Sequence, residues 1–240
     1  MSGADPVAEV VLAHRALAAA GLSDLVWGHV GVRDPDGRGV WLKAAGWGFE
    51  EVAADRVVLV SDGGEVLAGT GQRHVEYPIH TEVLRARPDV RAVVHTHGEA
   101  VTAFAALGVP LRAVNHDGVL FSEPDVPRFG GTGALIRTAE LGTCVAEALG
   151  AAPAVLLPRH GLVAAGPDIA AAVMYAVLLD RACRAQLTAM AAGPLTGWSD
   201  AAECAQKRAE CWNPRQLHAG FRYLLRTAGV SAPDDLEEMT

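Results

Sequence analysis

Two histidines that flank a single threonine are the residues of this sequence whose spacing most directly suggests chemistry. They are His95 and His97, at the end of the apolar run 90–96. Alternate residues of a β-strand project to the same face of a sheet, so both imidazoles would point the same way. Neutral imidazole is the commonest metal ligand. The pair therefore indicates either part of a metal site or two hydrogen-bonded histidines near a strand end.

A third histidine, His160, favours the metal site. It follows an apolar, strand-like run and precedes a glycine, where a tight turn is expected. Three histidines with one open position are typical of catalytic metal sites, whereas structural sites are closed by four protein ligands. Glu76 begins the predicted helix that precedes the strand of His95, so its side chain is expected close to the three histidines. Alternatively, Glu76 is a solvated residue in the first turn of that helix, which is favourable near a helix N-terminus.

Composition and charge exclude several classes of partner. The chain has 240 residues, half of them apolar and a fifth charged, as in an ordinary globular protein. Its net charge is −8 and it has no basic block, which argues against nucleic acid and anionic membranes as partners. The first residues lack a secretory signal pattern, and no segment has about 18 consecutive apolar residues, so we predict a cytoplasmic protein. The acidic tail at 234–238 is interpreted as a solvated end.

Periodicity and turn residues predict alternating helices and strands. Helices are predicted at 6–20, 76–87, 99–107, 135–149, 168–190, 200–212 and 214–227. Strands are predicted at 30–33, 39–43, 56–60, 90–96, 154–157 and 162–165. The fold class expected from this order is α/β, a three-layer α/β/α sandwich with a mostly antiparallel central sheet. We predict one domain over residues 1–240, with a helical extension at about 195–230.

The sequence resembles the class II aldolase/adducin family over roughly residues 7–187. The resemblance rests on the order and spacing of the motifs Trp27-Gly-His-Val-Gly-Val-Arg33, Glu76-Tyr-Pro-Ile-His80, Arg87-Pro-Asp-Val-Arg-Ala-Val-Val-His-Thr-His97 and Arg159-His-Gly-Leu-Val-Ala-Ala-Gly166. It implies an α/β/α sandwich that assembles as a fourfold ring. It also implies a role for Glu76 as acid/base or as an additional ligand. The expected cofactor is one divalent ion per chain, zinc, manganese, iron or cobalt, held by His95, His97 and His160.

Three positions depart from the pattern of the sugar-phosphate members of this family. Those members have Gly-Asn where this chain has Gly-His at 28–29, and Ser or Thr beside Gly46 where it has Ala45. They also have a serine pair where it has His-Val at 74–75. The missing groups would have donated hydrogen bonds to a phosphate. We therefore infer that the substrate is not a sugar phosphate.

The residues at these departures are predicted to bind the substrate. His29 and His74 are expected to bind a carboxylate, more strongly if protonated, although His29 is alternatively a core histidine of its loop. Gly46 belongs to the same predicted substrate site. Further candidates for binding the carboxylate are Arg33, Arg73 and Arg159. The Gly-His variant resembles the branch of the family that contains metal-dependent decarboxylases of hydroxypyridine and hydroxyphthalate dicarboxylates.

Other histidines receive different interpretations. His116 follows the strand of the histidine pair and its helix, in a region that approaches the neighbouring active site in the family. It is predicted to be a proton donor or substrate ligand, or alternatively a turn histidine. His80 lies one helical turn after Glu76 and is expected near the site. No function is predicted for His14 and His218.

These observations predict a metal-dependent lyase that acts on a small oxygenated acid, with decarboxylation preferred over aldol cleavage. The ion would act as a Lewis acid and Glu76 would transfer a proton. The alternatives are an aldolase of a small oxo-acid or sugar derivative, a non-haem iron oxygenase and an adducin-like interaction domain without catalysis. The usual iron triad of two histidines and one carboxylate is not evident in the sequence. An interaction domain would have no need of three such histidines.

Overall fold

An antiparallel sheet of seven strands lies at the centre of this computed structural model, which describes residues 5–230. The strands are β1 (His29–Arg33), β2 (Val40–Lys43), β3 (Val57–Val60), β4 (Val66–Ala68), β5 (Ala92–Thr96), β6 (Ala154–Leu157) and β7 (Gly161–Gly166). Their order is β4-β3-β2-β1-β5-β7-β6, and each neighbouring pair is antiparallel. The acidic tail at 234–238 lies outside the described residues.

Helices cover both faces of the sheet. They are α1 (Pro6–Ala19), α2 (Tyr77–Ala86), α3 (Glu99–Leu107), α4 (Ala139–Leu149), α5 (Ile169–Ala192), α6 (Ala201–Cys211) and α7 (Pro214–Thr227). Alternate residues of β5 point to opposite faces of the sheet. Ala92 and Val94 pack with residues of α1, α3, α5 and α7 on one face, and Val93 packs with residues of α2 and α4 on the other. The predicted three-layer α/β/α sandwich is therefore confirmed.

Two elements differ from the sequence prediction. The helix predicted from residue 135 begins at Ala139, because the Thr138 hydroxyl accepts a hydrogen bond from the Leu141 amide and caps it there. The short edge strand β4 was not predicted. Its residues Val66 and Leu67 are exposed, so the sequence lacks the apolar alternation of a half-buried strand.

The last two helices fall within the predicted C-terminal extension. Leu217 and Phe221 of α7 pack against the cluster that contains α1 and α5, and Cys204 of α6 packs beside Val119. Asp200 and Asn213 cap the two helices through their side chains. In residues 5–230, no helix is long and apolar enough to cross a membrane.

Candidate metal centre

Antiparallel pairing brings the three predicted ligand histidines to one end of the sheet. β5 lies between β1 and β7, and His29 of β1 stands opposite His95. His97 follows the last residue of β5, and His160 lies in the turn that joins β6 to β7. The turn of the β6–β7 hairpin therefore lies beside the end of β5.

The turn that carries His160 has a constrained backbone. Arg159 adopts a φ of 68°, in the left-handed region that non-glycine residues rarely enter. A Cβ atom on Gly161 would lie 2.3 Å from the carbonyl oxygen of Thr96 and 3.0 Å from the ring of His97. Glycine is therefore required for β7 to pass this close to the ligand strand.

The ligand atoms of one carboxylate and three imidazoles converge at this end of the sheet. The group consists of Glu76, His95, His97 and His160, and its ligand atoms all lie within 4.8 Å of one another. The Nε2 atoms of His95 and His97 are 3.0 Å apart. Nε2 of His160 lies 3.5 Å from Oε1 of Glu76. Three nitrogens and one oxygen at this spacing form a donor set that suits a divalent ion.

The unpaired nitrogens of this cluster support the same conclusion. Both ring nitrogens of His160 are buried and have no hydrogen-bond partner among the described residues. Buried polar atoms without partners are rare, and an ion at this point would give Nε2 of His160 a ligand role. His95 donates from Nδ1 to the Leu162 carbonyl oxygen at 2.8 Å, which leaves its Nε2 lone pair for the ion. Burial holds the pKa of His95 well below its usual value, so the ring is neutral.

Glu76 lies immediately before α2 and turns its carboxylate into the cluster. Its Oε1 atom accepts a hydrogen bond from the Ile136 amide at 2.7 Å, and its Oε2 atom lies 3.9 Å from Nε2 of His95. Burial alone would raise the pKa of Glu76, but the contacts with His160, His95 and the Ile136 amide lower it to about 2. The carboxylate is therefore ionised at neutral pH, as a ligand or a proton acceptor must be.

A second group of imidazoles lies directly beside the ligands. The ring of His29 is 4.6 Å from that of His74 and 5.1 Å from that of His95, measured between centroids. Its Nδ1 atom is hydrogen-bonded to Nε2 of His80 at 2.6 Å. Burial lowers the pKa of His74 and of His80 to about 3 and that of His29 well below 6.5. These rings are therefore neutral, and they would bind a carboxylate through N–H donors and without a positive charge.

Lys43, which no sequence motif marks as functional, connects the two loops beside these histidines. Its buried ammonium donates to the carbonyl oxygens of Val26 at 2.8 Å and Trp47 at 2.6 Å. Val26 lies in the loop before β1, and Trp47 follows the exposed Gly46, which has a φ of 91°. Burial lowers the pKa of Lys43 to about 8. The lysine therefore fixes the loop of His29 relative to the loop of Gly46.

The three candidate arginines have different surroundings. The guanidinium of Arg33 donates to the carbonyl oxygens of Leu84, Arg87 and Val90. The guanidinium of Arg73, which was predicted to bind substrate, donates to the Gly64 carbonyl oxygen and stacks on the Tyr77 ring. Arg159 is exposed, and within residues 5–230 it has no hydrogen bond or ion pair. Of the three, only Arg159 leaves its guanidinium unengaged.

His116 lies outside the metal cluster in the single chain. It is exposed, it precedes a short 3₁₀ helix (Asp117–Leu120), and its carbonyl oxygen accepts a hydrogen bond from the Trp212 indole at 2.7 Å. Its predicted catalytic role depends on a neighbouring subunit and stays a prediction. His14 and His218, for which no function was predicted, make structural hydrogen bonds to Val10 and Asp168.

The fold is that of a known family. The family described as Class II Aldolase and Adducin N-terminal domain matches residues 8–187, so this chain belongs to it. The predicted family membership is therefore confirmed. The helices α6 and α7 lie beyond the matched residues.

Individual relatives include both decarboxylases and aldolases. The chain is 33% identical over 198 residues to 3,4-dihydroxyphthalate decarboxylase of Arthrobacter keyseri, covering 77% of this chain and 78% of the relative. It is 32% identical over 178 residues to 5-methylthioribulose-1-phosphate/5-deoxyribulose-1-phosphate aldolase of Rhodospirillum rubrum, covering 72% and 78%. The structure of L-fuculose 1-phosphate aldolase from Glaciozyma antarctica PI12 has a TM-score of 0.79 and 29% identity, covering 92% of this chain and 88% of that one. The prediction of an enzyme of the lyase class is confirmed.

Proposed function

We propose that this chain is a divalent-metal-dependent decarboxylase of a non-phosphorylated hydroxy- or oxo-acid, with aromatic hydroxy acids as the preferred class. The observation that carries the proposal is the juxtaposition of the Glu76 and three-histidine cluster with the neutral rings of His29 and His74. The relative named as a dihydroxyphthalate decarboxylase supports this substrate class.

Each group at the site has a distinct chemical task in this proposal. His95, His97 and His160 would hold a divalent ion, which would supply Lewis-acid stabilisation of the negative charge that remains when the bond breaks. Glu76, ionised at neutral pH, accepts the proton of the substrate hydroxyl and delivers it to the carbon from which CO₂ leaves, and the hydroxyl oxygen regains a proton from water. His29 donates a hydrogen bond to that carboxylate and orients the bond to be broken.

The same site offers few hydrogen-bond donors to a phosphate group. A buried phosphate dianion needs several donors, because an unpaired buried charge is expensive. Ala45 and Val75 offer no hydroxyl, and the rings of His29 and His74 are neutral. We therefore propose decarboxylation as the first candidate reaction. Aldol cleavage of a sugar derivative is the second candidate, because one relative is named as an aldolase.

The carboxylate in the cluster changes the case for the oxygenase alternative. Glu76 lies with the histidines, so a set of two histidines and one carboxylate is available after all. The donor set therefore does not distinguish a decarboxylase from an iron oxygenase. Dioxygen consumption by the iron-loaded protein does, because decarboxylation of a hydroxy acid consumes none.

The experiment is a panel of substrates assayed for three products. Protein loaded with Mn²⁺, Zn²⁺, Co²⁺ or Fe²⁺ is incubated with dihydroxyphthalates, with other ortho-hydroxy aromatic acids and with L-fuculose 1-phosphate. Release of CO₂ from the acids, without dioxygen uptake and without aldehyde from the sugar phosphate, is the expected result. Rapid aldehyde formation from the sugar phosphate would overturn the decarboxylase assignment.

A pair of variants tests the reason given for this specificity. His29→Ala should weaken binding of the acid by about 1.5–3 kcal/mol, the contribution of one hydrogen bond to a charged group. The double variant Ala45→Ser with Val75→Ser restores hydroxyl groups near the loops of the pocket. It should bind inorganic phosphate more tightly than the unaltered chain while retaining its metal. An unchanged affinity for phosphate would contradict the argument from missing donors.

A further inference from the structure

A carboxylate outside the predicted ligand set contacts one of the ligand histidines. Oδ2 of Asp24 lies 2.8 Å from Nδ1 of His97, and these residues are 73 positions apart in the sequence. Nε2 of the same ring faces Nε2 of His95 inside the cluster. Nδ1 of His97 therefore faces the Asp24 carboxylate, and Nε2 of the same ring faces the metal cluster.

The backbone around Asp24 is shaped to hold this contact. The Trp27 amide donates to the Asp24 carbonyl oxygen at 2.9 Å and closes a tight turn. Leu25, in that turn, has a φ of 48°, a left-handed conformation that is unfavourable for a residue with a branched side chain. Its side chain is 71% exposed, so burial does not compensate for this conformation.

We propose that Asp24 is the positioning residue of the metal centre. Its carboxylate accepts the Nδ1 proton of His97, which fixes the tautomer with a free Nε2 lone pair and holds the ring in the orientation for the ion. The proposal rests on the metal site of the proposed function.

The other ligand histidines show why this contact is distinctive. His95 uses the neutral Leu162 carbonyl oxygen for the same purpose, and Nδ1 of His160 has no partner among the described residues. Among residues 5–230, Asp24 is therefore the carboxylate that accepts a hydrogen bond from the Nδ1 atom of a ligand histidine. The turn also leads directly into Gly28 and His29, so the residue that holds a ligand is in the segment that presents the substrate-binding histidine.

The test is the affinity of the protein for Zn²⁺ alone, measured by competition with a chromophoric chelator. Asp24→Asn and Asp24→Ala should each weaken binding by about 10–100-fold, the usual effect of losing such a partner. The Co²⁺ absorption spectrum should change as well, because His97 is no longer held in one orientation. The unfolding midpoint of the metal-free protein should stay within a degree or two of the unaltered chain, which separates this role from a merely structural one.

A matched control is available in the same chain. Asp168 also contacts a histidine, with Oδ2 2.9 Å from Nε2 of His218, and its side chain is 35% exposed compared with 36% for Asp24. Asp168→Asn keeps the helix cap and should leave the affinity for Zn²⁺ unchanged. Affinity within twofold of the unaltered chain in both Asp24 variants, or an equal loss in Asp168→Asn, would overturn the proposal. If the unaltered chain binds no Zn²⁺, Mn²⁺ or Co²⁺, the metal site itself fails and the role of Asp24 fails with it.

Discussion

The main-chain amide of Ile136 donates a hydrogen bond to Oε1 of Glu76 across 60 positions of sequence, at a distance of 2.7 Å. The segment before α4 is therefore held against the metal centre by a backbone group. This contact is one of those that keep the pKa of Glu76 at about 2 although the side chain is buried. A substitution that keeps an oxygen at this position preserves the hydrogen bond and removes only the charge.

Replacing Glu76 by glutamine should therefore separate proton transfer from architecture. Glu76→Gln retains an acceptor for the Ile136 amide, but it cannot accept a proton. We expect kcat to fall by about 10²–10⁴, the contribution typical of a positioned general base, while most of the metal is retained. Metal content per chain and steady-state rates are measured on the same preparation. A rate near that of the unaltered protein would show that another group moves the proton.

The three ligand histidines should each be necessary for metal retention. Protein purified without chelator is expected to carry about one divalent ion per chain, and His95→Ala, His97→Ala and His160→Ala should each lose it. His116→Ala is the control, because this exposed residue lies outside the cluster of the single chain. Elemental analysis of the four variants checks the expectation. Full occupancy in any of the three ligand variants would contradict the assignment.

The clustering of the three histidines could be predicted from the sequence because it depends largely on local rules. The spacing of His95 and His97 places both on one face of a strand, and the turn before Gly161 is short. Antiparallel pairing of β7 with both β5 and β6 then brings His160 to the other two histidines, and this pairing is not specified by the apolar runs. The helix and strand bounds agree closely with the predictions because they too depend on local rules.

Contacts between distant segments could not be predicted in this way. Asp24 and His97 meet because the sheet brings the segment before β1 beside the end of β5. His29 and His80 meet because α2 packs on the strand β1. The Ile136 amide has no sequence signal, since every residue except proline has one. The arginines could not be ranked because main-chain carbonyl oxygens, which are invisible in a sequence, engage Arg33 and Arg73.

Acid should destabilise the metal-free protein through its buried histidines. His14 donates to the Val10 carbonyl oxygen, accepts from the Val30 amide, and its pKa falls on burial from 6.5 to about 3. Between these pH values His14 binds a proton in the unfolded chain but not in the folded chain. The free energy of unfolding therefore decreases as the pH falls below 6.5.

The contribution of His14 can be isolated by a neutral replacement. His14→Gln should lower the pH dependence of the free energy of unfolding by about 1.4 kcal/mol per pH unit between pH 6 and 4. Urea unfolding of both proteins in the presence of a chelator gives the two slopes. Between pH 7.5 and 8.5 the slopes should be the same, which is the internal control. Equal slopes below pH 6 would mean that His14 is protonated in the folded protein.

The last prediction concerns self-association, which the family resemblance implies. Apolar side chains next to the site residues are exposed in the single chain, with Trp27 at 54% and Val75 at 51%. Cyclic homo-oligomers bury such surfaces in repeated interfaces, and His116 would then reach a neighbouring site. Light scattering should give a mass near four chains, and His116→Ala should lower turnover with its metal and its mass unchanged. A monomer at micromolar concentration with full activity would exclude any part for His116 or for a neighbouring subunit in the reaction.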